Sequence, residues 1–220
     1  MALKLVIFDV DGTLIDSQAH ICQAMSMAFG ELGLPVPDRR EVLGIVGLSL
    51  PHAIARLAPE LPEVERMQLV EIYKRSFGAL RAEDLSPLYP GARAALEGLA
   101  AMPDVLLGVA TGKSRRGLAH VLLAHEIAQH FVTLQVADDH PSKPHPSMIL
   151  ACLRETGVEP GRAIMLGDTS FDMDMARAAG VHGLGVAWGY HPPETLGVRI
   201  IPDFADLSDA VTSIWAGADA

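Results

Sequence analysis

The chain has 220 residues, half of them apolar and a fifth charged, which suits one sizeable domain, or a core with a smaller insertion, that needs no disulfide or metal merely to fold. A formal net charge of −10 argues against nucleic acid as the main partner but leaves a small phosphate ester open, since local cations or a metal override the global sign. The two cysteines, Cys22 and Cys152, form no CxxC pattern and read as reduced thiols, and no apolar run reaches membrane length, so the expected location is cytoplasmic with no membrane partner.

Residues 3–10 form an apolar run that predicts a strand buried on both faces. Residues 17–32 follow, with Ile21, Met25, Ala28, Phe29 and Leu32 at the spacing of one helical face. Short helical segments around Glu41 and over 51–57 precede a longer helix over 63–82, and the turn-rich Ser86-Pro87-Leu88-Tyr89-Pro90-Gly91 marks a return point. Beyond it, helices predicted at 91–101, 114–124, 146–156 and 171–179 alternate with buried strands at 105–110, 131–137, 163–166 and 183–187. The tail after Trp188, with a helix near 206–215, reads as closing structure. The predicted fold class is therefore α/β: a Rossmann-like parallel sheet with helices on both faces, over 1–16 and 88–220, plus a small all-helical domain over 17–87 inserted after the first strand. Ligands of such sheets bind beyond the carboxyl ends of the strands.

Four polar clusters sit just after predicted strands. Asp9 and Asp11 end the first, before Gly12, where the backbone can turn sharply; two carboxylates this close need a compensating cation. A solvated Asp-Gly turn is the bland alternative, and it explains poorly why two acids terminate a buried strand. Thr111-Gly112-Lys113-Ser114 is strand, turn and helix start, equally an anion site or a plain N-cap. A nucleotide-binding P-loop is rejected there, because that motif needs four residues between its glycines whereas Gly108 and Gly112 enclose three. Lys143, stiffened by Pro144, offers a point charge for a phosphoryl oxygen, or is a solvated loop lysine. Asp168 ends a strand and Asp172 lies one helical turn on, an oxygen-only pair suited to magnesium, while Asp168 or Thr169 also suits a helix cap.

In this order, the four clusters resemble the motifs of the haloacid dehalogenase-like hydrolase superfamily, without substitution, over residues 3–187. The phrases 9–17, Tyr89-Pro90-Gly91 and 110–117 are similar to its phosphoglycolate phosphatase-like branch, in which the helical insertion is a cap. The resemblance implies a magnesium-dependent phosphatase of small phosphate monoesters, phosphoglycolate or a sugar phosphate. Asp9 is then the nucleophile and Asp11 the general acid and base. Asp9, the Asp11 carbonyl and Asp168 hold Mg2+, with Asp172 assisting through water. Thr111 and Gly112 grip phosphoryl oxygens, and Lys143 neutralises charge. Asp11 favours phosphate chemistry over dehalogenation, because halide leaves without a proton.

Two other readings compete, a phosphosugar mutase and a non-catalytic phosphate-binding protein. Mutases of the branch carry a histidine on the first cap helix, where register with Asp16 places Ile21 here, beside His20. The cap loop 44–49 carries no cation, which favours a small monophosphate, and Arg115 and Arg116 are expected to face solvent. No histidine pair shows a tight zinc pattern. A homodimer is left open.

Overall fold

A computed structural model describes residues 2–218. Strand β1 (Lys4–Phe8) leads into helices α1 (Gln18–Glu31), α2 (Arg39–Leu43), α3 (Leu50–Leu57) and α4 (Glu63–Glu83). The rest alternates: α5 (Ala92–Ala100), β2 (Val105–Thr111), α6 (Arg115–Ala124), β3 (Phe131–Val136), α7 (Ser147–Thr156), β4 (Ala163–Gly167), α8 (Ser170–Ala179), β5 (His182–Val186), β6 (Arg199–Ile201) and α9 (Leu207–Ala218). All six strands are parallel, in the order β3-β2-β1-β4-β5-β6.

Side chains alternate across β1, and each face has its own core. Val6, Phe8 and Val10 pack with Leu96 and Leu99 of α5, Leu118 of α6 and Val211 of α9. Leu5 and Ile7 pack on the opposite face with Met148 and Cys152 of α7 and Met175 of α8. Burial on both faces is why the strand reads as an unbroken apolar run. A third cluster, which includes Met25, Phe29, Ile54 and Leu69, lies within α1–α4 and gives those helices an interior of their own.

The two crossings between the helical insertion and the sheet lie side by side. Asp16 N–H donates to the Pro87 carbonyl at 2.9 Å, and Tyr89 N–H donates to the Leu14 carbonyl at 3.0 Å. The predicted return point at 86–91 is thus where the chain zips back onto its exit.

Two expectations need correction. β3 is an edge strand rather than one buried on both faces, with Val132 and Leu134 exposed. The tail is more than closing structure, because its Arg-Ile-Ile segment adds β6 beside β5. Three residues carry too little periodicity for a strand to be read from them.

Candidate active site

The strand order reverses direction at β1, between β2 and β4, and the polar clusters collect at the carboxyl ends there. The chain leaves β1 through a tight turn in which the Val10 carbonyl accepts from the N–H groups of Leu14 and Ile15, both at 2.9 Å. Gly12 sits in this turn at φ +81°, and a Cβ there would lie 2.2 Å from Asp168 Oδ2. Only glycine meets both conditions.

Asp9, Asp168 and Asp172 offer carboxylate oxygens that all lie within 4.8 Å of one another, and all three side chains are buried. Among the described residues this possible metal-binding group contains carboxylates only. Lys143 Nζ reaches in from the loop after β3, 3.0 Å from Asp9 Oδ1 and 2.6 Å from Asp172 Oδ1. Asp172 accepts from Thr169 N–H at 3.0 Å and from Thr169 Oγ1 at 2.7 Å on its other oxygen, closing a capping box at the start of α8. Both carboxylates of the fourth cluster therefore face the site while Thr169 caps the helix. Asp168 accepts from Thr13 Oγ1 at 3.0 Å and from Tyr190 N–H at 2.9 Å.

Asp9 differs from its neighbours: among the described residues Oδ2 has no hydrogen-bond partner, and Oδ1 has only the ion pair with Lys143. A buried carboxylate oxygen left unpaired is unfavourable by several kcal/mol in apolar surroundings (roughly, for charged groups). Burial pushes the Asp9 carboxyl up to about 7, against the pull of Lys143, with Asp172 and Asp11 adding to the rise. Burial, then Asp172 and Asp9, hold Asp168 well above the carboxylate range. Burial alone would lower Lys143, but Asp172 and Asp9 together hold it above its ordinary value. One ammonium among three carboxylates leaves the cluster short of positive charge.

Asp11 stands apart from this trio. Its carboxylate pairs with Lys113 Nζ at 2.6 and 2.7 Å and accepts a short hydrogen bond from Ser17 Oγ. Ser17 consequently provides no side-chain cap to α1, although it occupies the N-cap position. Ser17 N–H donates to Tyr190 Oη at 3.1 Å. Lys113, Ser17 and Tyr190 are site residues that sequence reasoning missed. Lys113 was legible as a cation two residues beyond a strand-end threonine; Tyr190, in the tail, carries no local signal.

Asp9, Asp11, Thr111 and Gly112 line a cavity of about 900 Å³ between the sheet and the helical insertion. Residues 45–49 of the loop after α2 form part of its wall. That loop presses on the second cluster: a Cβ on Gly112 would lie 2.6 Å from the Gly47 carbonyl oxygen. Ser49 N–H also donates to Ser142 Oγ, beside Lys143, at 2.9 Å. Ile21 lines the cavity, while His20 Nδ1 is 2.7 Å from Ser86 Oγ at the crossing. Arg115, bonded to Asp138 and Asp139, and Arg116 are both exposed to solvent as expected, and Arg116 in addition lines the cavity.

The family model for haloacid dehalogenase-like hydrolases matches residues 6–186. A protein named probable phosphatase IndB, from Dickeya dadantii (strain 3937), is 35% identical over 198 residues, covering 87% of this chain and 84% of that protein. A phosphoglycolate phosphatase from Vibrio vulnificus (strain YJ016) is 30% identical, covering 95% of this chain and 96% of its own. Among solved structures, a predicted phosphoglycolate phosphatase from Haemophilus somnus 129PT superposes with a TM-score of 0.85 at 26% identity, over 94% of this chain and 97% of that one.

Proposed function

The chain belongs to the haloacid dehalogenase-like hydrolase family, and from that membership we propose that it is a magnesium-dependent phosphatase of a small phosphate monoester, with Asp9 as nucleophile. The observation that carries this reading is Asp9 itself. It is a buried carboxylate at the end of the central strand, with one oxygen unpartnered and the other beside Lys143. A structural aspartate in that position would have its oxygens bonded, as Asp168 and Asp172 do.

The donor set fits a hard divalent cation, because it is all oxygen, buried and short of positive charge. Asp9, the Asp11 backbone carbonyl and Asp168 would hold Mg2+. Asp172, with both oxygens already engaged, fits a contact through water. When bound, the ion supplies charge neutralisation for the carboxylates and the phosphoryl oxygens.

On this reading Asp9 attacks phosphorus as the bond to the leaving oxygen breaks, giving an aspartyl-phosphate. Asp11, at the cavity wall, enters this step as the protonated acid, its ion pair with Lys113 given up, and gives that proton to the departing alcohol. It then takes a proton from the water that attacks the phosphoryl group, which restores the Asp9 carboxylate and releases inorganic phosphate. The Thr111 hydroxyl and the Gly112 N–H hold phosphoryl oxygens at the end of β2, and Lys143 balances charge on the nucleophile. Residues 17–87 serve as the cap, which walls the reacting groups off from bulk water. Relatives named phosphoglycolate phosphatase make phosphoglycolate the leading substrate candidate.

The test is magnesium-dependent phosphate release from an aryl phosphate, with Asp9→Asn as the control. The substitution should lower kcat by at least about a thousandfold while circular dichroism stays unchanged. A folded, active Asp9→Asn protein overturns the assignment.

A further inference from the structure

The cavity is far larger than one phosphoryl group, so most of its walls face whatever the phosphate is attached to. Five lysine and arginine side chains line it: Lys74, Arg75, Arg81, Lys113 and Arg116. Three already have carboxylate partners. Lys74 pairs with Glu71 at 2.7 Å, Arg75 with Glu31 at 2.5 Å, and Lys113 with Asp11 at 2.6 Å. Arg81 and Arg116 have neither an ion pair nor a hydrogen bond among the described residues.

These two arginines come from opposite walls, Arg81 from the last turn of α4 in the insertion and Arg116 from the first turn of α6 on the sheet. They feel each other: Arg81 is held below the usual arginine range by burial first and by the Arg116 charge second. In a chain with 27 acidic and 17 basic residues, carboxylates to separate them are abundant. Arg81 is half-buried and Arg116 exposed, so water screens their mutual repulsion, and an anion in the cavity they line would be attracted to both.

We propose that Arg81 and Arg116 clamp a second anionic group on the substrate, so that the site selects phosphomonoesters whose alcohol portion carries a carboxylate or another phosphate. The proposal rests on the phosphatase reading and deepens it. The phosphoryl group lies against Thr111 and Gly112, and the second anion is received where Arg81 and Arg116 line the same cavity. Arginine suits this task, because its planar fork matches either oxyanion with two parallel hydrogen bonds. Because the clamp has one jaw on the insertion and one on the sheet, a charged tail draws the two together and an uncharged tail does not.

The experiment compares matched substrates: phosphoglycolate against its methyl ester, and glycerol 1,3-bisphosphate against glycerol 1-phosphate. The parent enzyme should prefer each charged tail by kcat/KM. Arg81→Gln and Arg116→Gln should each shrink that preference roughly tenfold, chiefly through KM, as expected for loss of a charge-assisted contact. The pair of substrates that responds more strongly identifies carboxylate or phosphate as the bound tail. Calorimetric titration of phosphonoacetate and of the methyl ester of its carboxyl group, with magnesium present, reads the same preference without turnover. An inactive parent would defeat the phosphatase reading, and the calorimetric preference would then decide the clamp by itself. Equal preference in the parent and in both arginine variants, by kinetics or by calorimetry, overturns the proposal.

Discussion

At the scale of single residues, the site depends as much on what is missing from a backbone as on the carboxylates it exposes. Gly12 lets the turn after β1 close to within 2.2 Å, measured from a hypothetical Cβ, of Asp168 Oδ2. Gly189 does the same from the other side, where a Cβ would lie 2.0 Å from Asp168 Cβ. Gly12→Ala therefore both strains a left-handed backbone position and pushes the Asp168 carboxylate out of place. Its expected effect is a loss of magnesium affinity of about 10-fold or more, in line with disturbed metal-site geometry. Magnesium titration of activity measures it; an unchanged apparent affinity would show that Asp168 is free to move aside. Lys113 illustrates the opposite situation, a side chain placed by its own charge. It pairs with Asp11 and lies 5.3 Å from the centre of the Phe77 ring, and so links the acid of the first cluster to α4.

At the scale of elements, the insertion is stabilised by its own apolar cluster rather than by the sheet. Leu69 is fully buried there, among residues that include Met25, Ile54 and Phe29. Leu69→Ala should destabilise this unit by about 2–5 kcal/mol, the range for a truncated core leucine. Urea unfolding followed at Trp188 and Trp215, both outside the insertion, would lag behind helix loss by circular dichroism if the two units melt separately. Coincident curves would show that the insertion and the sheet unfold as one. Legibility also varies by element. β1, β2 and β4 were readable because burial on both faces leaves unbroken apolar runs, and the four clusters were readable because each follows a strand at a fixed offset. β6 is too short for any period to show, and the edge position of β3 follows from strand order, which no local pattern records. The links from Tyr190 to Asp168 and from Arg81 to Arg116 arise only when distant segments meet, so composition and spacing could not disclose them.

At the scale of the whole molecule, the buried charge cluster links stability to pH and to metal. The Asp9 carboxyl is raised by burial from 3.8 to about 7 in the folded protein. Below about pH 4 it is neutral both folded and unfolded, and it exerts no pH-dependent effect. As pH rises toward 7 the unfolded chain releases this proton while the folded protein keeps it, so the folded state binds more protons and loses stability. Above about pH 7 that loss is complete. Asp168, shifted in the same direction, adds to it. Asp9→Asn removes the Asp9 contribution, so in chelator the variant's Tm should exceed the parent's by a smaller margin near pH 5 and a larger one near pH 8. A divalent cation takes over the proton's role among the carboxylates, and magnesium should therefore raise the parent's Tm more at about pH 8 than at about pH 5. The same addition should stabilise Asp9→Asn less, because one ligand has lost its charge. Thermal melts of both proteins, at both pH values, with chelator or magnesium, separate these effects. A parent and variant differing equally at the two pH values would mean that Asp9 ionises as readily folded as unfolded, and the buried, charge-starved site would no longer support the proposal that a metal binds there.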